Sequence, residues 1–387
     1  MFASSFIDLI RKTYYQNCQQ SIITSNENEF ENYLYLRNNV ILFISHGGGG
    51  AAAKILFELI LYMESMYSFN ILLIHSEKTE GNIDNYYTDR FKHKPLSYEK
   101  DHNQLLKIIQ HLNPSCILSN SIGPIIVDLD LFQQYIPITL FYFHETTVMI
   151  NYISPSVIKN IQSLPKDTLI YVLTGKIKHS FHDRLGLTNI QISSPFISSN
   201  SQLIIDEKMK IPLEISLIDF HNKGRIIDWN KVTIIMCGSV EFRKGFDIYV
   251  EVSKLCPEFN FIWVGSKILN KIDVSYESDN FFHFPTTENP FKYFVKSDYF
   301  FLSSRDEPFS IAVLEAMYLN IPIIVLEENL RFNHTLKNNF YSIQNHEDDS
   351  VIISNYFKSI NLVKRINGNE SSKEYVRNFF TTPQIGK

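Results

Sequence analysis

Two glutamates, Glu307 and Glu315, bracket a stretch in which a polar loop gives way to the helix-forming residues Ile311-Ala312-Val313-Leu314. Ser310 stands where a helix N-cap is expected. The N–H groups of Ile311 and Ala312 would then lie at the positive end of a helix dipole, where they attract an anion such as a phosphate. The flanking carboxylates can accept hydrogen bonds from sugar hydroxyls on one side and ribose hydroxyls on the other. The plainer reading is that Glu307 complements the dipole and Glu315 lies on the surface. Earlier in the chain, Gly238-Ser239-Val240-Glu241-Phe242-Arg243-Lys244-Gly245 sets two cations before a glycine. Arg243 can clamp phosphate oxygens with two hydrogen bonds, and Lys244 supplies a compact charge. A solvated basic loop is the alternative.

Two further loops have chemical potential. Ser45-His46-Gly47-Gly48-Gly49-Gly50-Ala51-Ala52 lets the backbone at Gly48 and Gly49 approach a ligand before a helix begins. No Gly-Lys-Ser/Thr follows, and consecutive glycines do not make a dinucleotide fingerprint. A tight turn would serve as well. His144 and Glu145 follow the apolar run Phe141-Tyr142-Phe143 and would stand at a strand end. His144 reads either as a reactive group or as a structural histidine. No second His or Cys lies at metal-binding spacing. Asp128-Leu129-Asp130 reads as a surface acidic turn. Chemistry without a metal or cofactor is expected.

The elements that must position these loops alternate. Short apolar runs at 40–45, 70–75, 115–119, 138–143 and 168–173 suit strands buried on both faces. Helices are expected at 51–63, 102–112 and 156–163. The rhythm is lost after 196 and restarts with strands at 232–237, 259–264, 299–302 and 321–326. Helices are expected there at 246–255, 289–296 and 310–319. The fold class is α/β with parallel sheets. The expected division is a helical lead-in at 1–38, a first Rossmann-like domain at 39–200, a connection at 201–230, a second domain at 231–365 and a terminal segment at 366–387 with a helix at 371–380.

Composition narrows the function classes. The 387 residues carry 36 Lys and Arg against 41 Asp and Glu, a net charge of -5. That balance disfavours generic nucleic-acid binding. The four cysteines, Cys18, Cys116, Cys237 and Cys256, form no C-x-x-C pair and read as buried hydrophobes in a reducing compartment. The first cation, Arg11, follows the opening apolar stretch, unlike a signal peptide. The longest membrane-span candidate, 136–153, is broken by His144, Glu145 and Asn151. A cytoplasmic protein is expected, with peripheral contact at the membrane face left open.

These pieces together resemble the retaining glycosyltransferases of family 4, within the group 1 glycosyl transferases, which have the GT-B fold. The resemblance covers roughly 40–330. It rests on the glycine loop, His144-Glu145, Arg243-Lys244-Gly245, Phe261-Ile262-Trp263-Val264-Gly265 and the Glu307 to Glu315 stretch. It implies two Rossmann-like domains facing across a cleft, the second binding a nucleotide sugar and the first mostly the acceptor, with the terminal helix crossing back to the first domain. It implies that Arg243 and Lys244 neutralise the donor diphosphate, Glu307 touches the donor sugar, Glu315 holds the ribose and His144 lies near the transferred sugar. Gly48, Gly49, Gly238, Phe309, Ser310, Ile311 and Ala312 would complete the donor site.

The resemblance favours a UDP-sugar donor, with GDP-mannose open. The acceptor would be a glycan, a lipid-linked glycan or a protein, as in surface polysaccharide biosynthesis. A partner subunit or a homo-oligomer is compatible with it. Ser193-Ser194-Pro195-Phe196 and Phe282-His283-Phe284-Pro285 depart from the family pattern near the hinge and base-contacting regions. The lead-in at 1–38 and the aromatics Tyr86, Tyr87, Phe91 and Tyr98 could shape the acceptor side. The competing readings are a nucleotide-sugar epimerase or phosphorylase on the same fold, and a non-catalytic nucleotide-sugar-binding subunit.

Overall fold

The computed structural model describes residues 40–45, 52, 55–56, 59–60, 70–75, 96–97, 107, 116–121, 139–164, 168–192, 199–211, 225–266, 278–287, 289–326, 340–343, 350–360, 362 and 371–379. The lead-in, Gly48, Gly49, the rings of Tyr86, Tyr87, Phe91 and Tyr98, and Ser193 to Phe196 lie outside the described residues. By its internal contacts the chain divides into one unit of Met1–Ser198 with Thr382–Lys387 and a second of Ser199–Thr381.

Among the described residues, the first unit has seven parallel strands. They are β1 (Val40–Ser45), β2 (Asn70–His75), β3 (Leu96–Ser97), β4 (Cys116–Ser119), β5 (Thr139–Phe143), β6 (Leu169–Val172) and β7 (Ile190–Ile192), in the order β3-β2-β1-β4-β5-β6-β7. Phe43 of β1 pairs with Leu73 and Leu118, and Leu118 lies level with the β5 start, where Leu140 is its partner. Strands covered on both faces need the continuous apolar runs seen in the sequence. After the glycine loop, Ala52, Ile55, Leu56, Leu59 and Ile60 are helical. They repeat at the spacing of one helix face, and the last four are buried.

Three helices complete the description of this unit. Helix α1 (Thr147–Asn151) is capped by Thr146, whose side chain accepts from the Met149 N–H. Helix α2 (Pro155–Gln162) is capped by Ser154 and starts with proline, which needs no N–H there. Helix α3 (Gly175–Leu185) runs from the Thr174 cap to Gly186, whose φ of 68° ends it in the left-handed conformation. It buries Ile177, Phe181 and Leu185 and packs against α1 and α2.

The second unit begins with α4 (Ser199–Met209), which packs on α6 (Phe291–Phe294). The expected connection at 201–230 therefore starts inside a helix of this unit. Six parallel strands follow among the described residues: β8 (Thr233–Cys237), β9 (Asn260–Val264), β10 (Phe281–Phe284), β11 (Tyr299–Leu302), β12 (Ile323–Leu326) and β13 (Phe340–Ile343). Their order is β10-β9-β8-β11-β12-β13. Helix α5 (Phe246–Leu255) covers the sheet with Tyr249, whose ring meets Phe261, Trp263, Phe281 and Phe301. The Tyr249 hydroxyl is 2.9 Å from the Ile234 carbonyl and 3.0 Å from that of Ile262, so one O–H is shared between adjacent strands.

Helix α7 (Ile311–Tyr318) lies between β11 and β12, α8 (Ser350–Ser359) packs on α5, and α9 (Ser371–Phe379) packs on α7. The terminal helix packs on α7 of the second unit, while Thr382–Lys387 group with the first. The Lys373 N–H donates to Asn320 Oδ1 at 2.9 Å, and its ammonium lies 4.5 Å from the centre of the Tyr318 ring. Among the described residues, no helix is long and apolar enough to cross a membrane.

Candidate functional site

In the second unit, the chemistry collects at the carboxyl ends of β8 and β11. After β8 the chain passes Gly238, makes one 3-10 turn (Phe242–Lys244) and enters α5 through Gly245. Gly245 has φ of 69°, and a Cβ there would lie 1.9 Å from the Ser303 carbonyl oxygen. Only glycine permits that approach. It locks the two loops together. Ser303 Oγ donates to the Lys244 carbonyl at 3.0 Å, and the Arg305 N–H donates to the Arg243 carbonyl at 2.8 Å. The Arg305 guanidinium forks onto the Asp247 carboxylate at 2.7 and 2.8 Å and lies 3.8 Å from the centre of the Phe242 ring.

This docking brings Lys244 Nζ onto Glu307 Oε2 as an ion pair. The pair is largely withdrawn from water, with side chains 15% and 3% exposed. Ser304 Oγ adds a hydrogen bond to the same carboxylate oxygen at 3.3 Å. The neighbouring cation has different partners. Arg243 donates to Glu241 Oε1 at 2.8 Å and to the Asp306 carbonyl at 3.0 Å, and Glu241 also accepts from Ser239 Oγ at 2.7 Å. Arg243 braces one loop against the other, while Lys244 is committed to a carboxylate. Gly238 sits beside the Lys244 stem; its carbonyl accepts from Trp263 Nε1 at 2.9 Å, and a Cβ on Gly265 would come within 1.9 Å of that oxygen.

The β11 loop leads into α7. Ser310 occupies the N-cap position with φ of -89° and ψ of 113°, yet its side chain makes no capping hydrogen bond. That corrects the expectation of a side-chain cap. The first bond of the helix runs from the Leu314 N–H to the Ser310 carbonyl at 3.4 Å. The N–H groups of Ile311 and Ala312 precede it and have no partner within the helix. Phe309, Ser310 and Ile311 are buried, and Ala312 is half-buried. Glu315 is 5% exposed, so it is an interior carboxylate and not a surface residue.

In the first unit a second cluster forms where β4 and β5 end. His144 Nε2 is 2.7 Å from Asn120 Oδ1, and Asn120 Nδ2 donates to the Ala52 carbonyl at 2.9 Å. Ser121 Oγ donates to Glu145 Oε1 at 2.5 Å. Asn120 is fully buried and Glu145 nearly so. The rings of Tyr142 and His144 are 4.5 Å apart. Sequence reasoning missed Asn120, Ser121, Glu241, Ser304 and Arg305. Ser119-Asn120-Ser121 carried the same signal as His144, polar residues directly after a buried strand. A polar crevice lined by Asp228, Lys231, Lys254, Asn260 and Asn280 lies at the opposite, amino end of β9 and β10, away from the Lys244–Glu307 pair of the same unit. Among the described residues, no group of three or more His, Cys, Asp or Glu could hold a metal ion.

Two α/β units with parallel sheets, each with a polar cluster at its strand ends, define the GT-B class of fold. Solved structures bear this out. HepE of Anabaena, in complex with UDP, has a TM-score of 0.66 at 13% identity, covering 89% of this chain and 96% of that one. Sucrose-phosphate synthase of Thermosynechococcus elongatus has a TM-score of 0.64 at 13% identity, covering 89% and 95%. At such identity the likeness establishes the fold. Residues 219–375 match the family model of the glycosyl transferases group 1, which bears out the resemblance read from the sequence. A curated relative, alpha-galactosylglucosyldiacylglycerol synthase of Streptococcus pneumoniae, is 26% identical over 143 residues. That match spans 33% of this chain and 37% of the relative.

Proposed function

We propose that the protein is a retaining glycosyltransferase that moves a sugar from a UDP-sugar to a hydroxyl of a glycan or lipid-linked acceptor without a metal. The observation that carries this is the Lys244–Glu307 pair held beside the start of α7. Charge builds on the diphosphate as the sugar leaves. Lys244 and the N–H groups of Ile311 and Ala312 stabilise it, a role a metal ion fills elsewhere. With Lys244 turned to phosphate, the Glu307 carboxylate is released to accept hydroxyls of the donor sugar. Glu315 takes the ribose, and His144 stands near the transferred sugar. In a front-face reaction the bond from the anomeric carbon to the phosphate oxygen breaks as the bond to the acceptor oxygen forms on the same face. The leaving phosphate oxygen receives the acceptor's proton.

Structures of HepE with UDP and with UDP-glucose support a uridine donor. The name of the streptococcal relative supports a glycolipid acceptor. The exposed Met149 and Tyr152, 52% and 83% accessible, are compatible with work at the cytoplasmic face of a membrane. The test is nucleotide release from UDP-glucose, UDP-galactose and GDP-mannose, with and without oligosaccharide or glucosyldiacylglycerol vesicles. Release that depends on the acceptor marks transfer; epimerised donor without release would replace this reading with epimerisation. Glu307→Ala and Lys244→Ala should each lower turnover about 10²- to 10³-fold, the scale seen when one transition-state donor is removed, with unchanged circular dichroism. Turnover at the wild-type rate by either variant would overturn the site.

A further inference from the structure

Asn120 lies at the junction of three elements that the sequence keeps far apart. It follows β4, its amide nitrogen donates to Ala52 in the helix after the glycine loop, and its amide oxygen faces His144 after β5. The carbonyl oxygen of Ala52 can only accept, so the amide atom 2.9 Å from it must be nitrogen. The other amide atom is therefore oxygen, and it too can only accept. His144 Nε2, 2.7 Å away, must then carry a proton. A neutral imidazole with its proton on Nε2 has Nδ1 as its acceptor.

We infer that Asn120 is a positioning residue for His144, fixing both the ring orientation and the proton on Nε2, so that the imidazole keeps one tautomer, with Nδ1 as its acceptor, during transfer. This rests on the placement of His144 near the transferred sugar proposed above. Asn120 is fully buried, so neither partner can be exchanged for water at little cost. Groups that orient a functional imidazole through its second nitrogen commonly change activity about 10- to 100-fold when removed.

The experiment uses full-length protein labelled with 15N-histidine, with the His144 signals assigned by their loss in His144→Gln. Long-range proton–nitrogen spectra of wild type should show a slowly exchanging Nε2–H and an unprotonated Nδ1. Asn120→Leu, of similar size, should lose that protected proton and lower kcat about 10- to 100-fold while leaving KM for the nucleotide sugar unchanged. Asn120→Asp, which keeps an acceptor for Nε2–H, should keep the protected proton; if Asn120→Leu does not fold, loss of that proton in Asn120→Asp overturns the inference. A proton on Nδ1 in neutral wild type, or a protected Nε2–H that survives Asn120→Leu, overturns the inference. So does a changed ring with unchanged kcat. If wild type transfers no sugar, the functional reading fails, and the spectra still decide whether Asn120 fixes the ring.

Discussion

The two strand-end clusters are built from different chemistry. In the second unit the loops after β8 and β11 are joined by paired charges: Lys244 with Glu307, Arg243 with Glu241, and Arg305 with Asp247. In the first unit the ends of β4 and β5 are joined by an amide, hydroxyls, one imidazole and one carboxylate, through Asn120–His144 and Ser121–Glu145. A charge pair can exchange one partner for a charged ligand: a diphosphate takes the place of Glu307 on Lys244, and the released carboxylate accepts hydrogen bonds from sugar hydroxyls. A chain of hydrogen bonds without an ion pair instead fixes which atoms donate and which accept. The first arrangement suits recognition of a diphosphate, and the second suits orientation of a hydroxyl. Even within the second unit the cations differ. Arg243 uses two of its five N–H donors on Glu241 and the Asp306 carbonyl and so braces the loops, whereas Lys244 is held by a carboxylate alone.

The comparison breaks first at Gly245. If the charged cluster depends on the close approach of Gly245 to Ser303, Gly245→Ala must force the loops apart. A left-handed backbone and a Cβ 1.9 Å from a carbonyl oxygen should cost about 3 kcal/mol, read by urea unfolding, and UDP binding should fall with it. Stability equal to wild type would mean that the loops are not docked this way. A smaller effect sharpens the first unit. Thr146→Ala removes the oxygen that accepts from the Met149 N–H at 3.1 Å. It should destabilise the protein by about 1 kcal/mol. Because α1 begins directly after His144-Glu145, donor affinity should stay unchanged while turnover drops. Loss of donor affinity instead would erase the division of labour.

The smallest effect is a control on the core at the other end of α5 from the charged cluster, where Cys256 is the C-cap. Burial, with Glu258 nearby, pushes the Cys256 thiol up to about 11, although Lys358 draws it down. Below that pH the group stays a thiol, so at pH 8 roughly one molecule in a thousand carries the reactive thiolate. Cys256 should resist iodoacetamide in the native protein and react on unfolding, with no change in turnover. Rapid native labelling at Cys256 would show that α5 opens away from the sheet.

The strands were legible in the sequence because a strand buried along its whole length, such as Asn260 to Val264, demands an unbroken run of mostly apolar residues. Helix α3 was not, because Lys176, His179, His182, Asp183 and Arg184 outnumber the three residues it buries. β13, at the edge of the second sheet, and α8, which packs on α5, also escaped the reading. Of the site, the positions of Lys244, Glu307 and His144 at strand ends could be read, since a polar residue after a buried strand needs a reason. Their partners could not. The Lys244–Glu307 pair exists because Gly245 lies against Ser303, and Asn120 acquires meaning only when β4 is placed between β1 and β5. The burial of Glu315 likewise follows from α7 being covered on nearly every side, which its sequence period alone does not reveal.

The most direct measurement is calorimetric titration of UDP into wild type, Lys244→Ala and Asn120→Leu. The division between an ion-paired donor cluster and a hydrogen-bonded positioning cluster predicts that wild type binds UDP, that Lys244→Ala binds it about 100-fold more weakly, near the 3 kcal/mol lost when one charge-assisted contact to an anion is removed, and that Asn120→Leu binds it as wild type does. Equal affinity in wild type and Lys244→Ala, or a loss confined to Asn120→Leu, would contradict it.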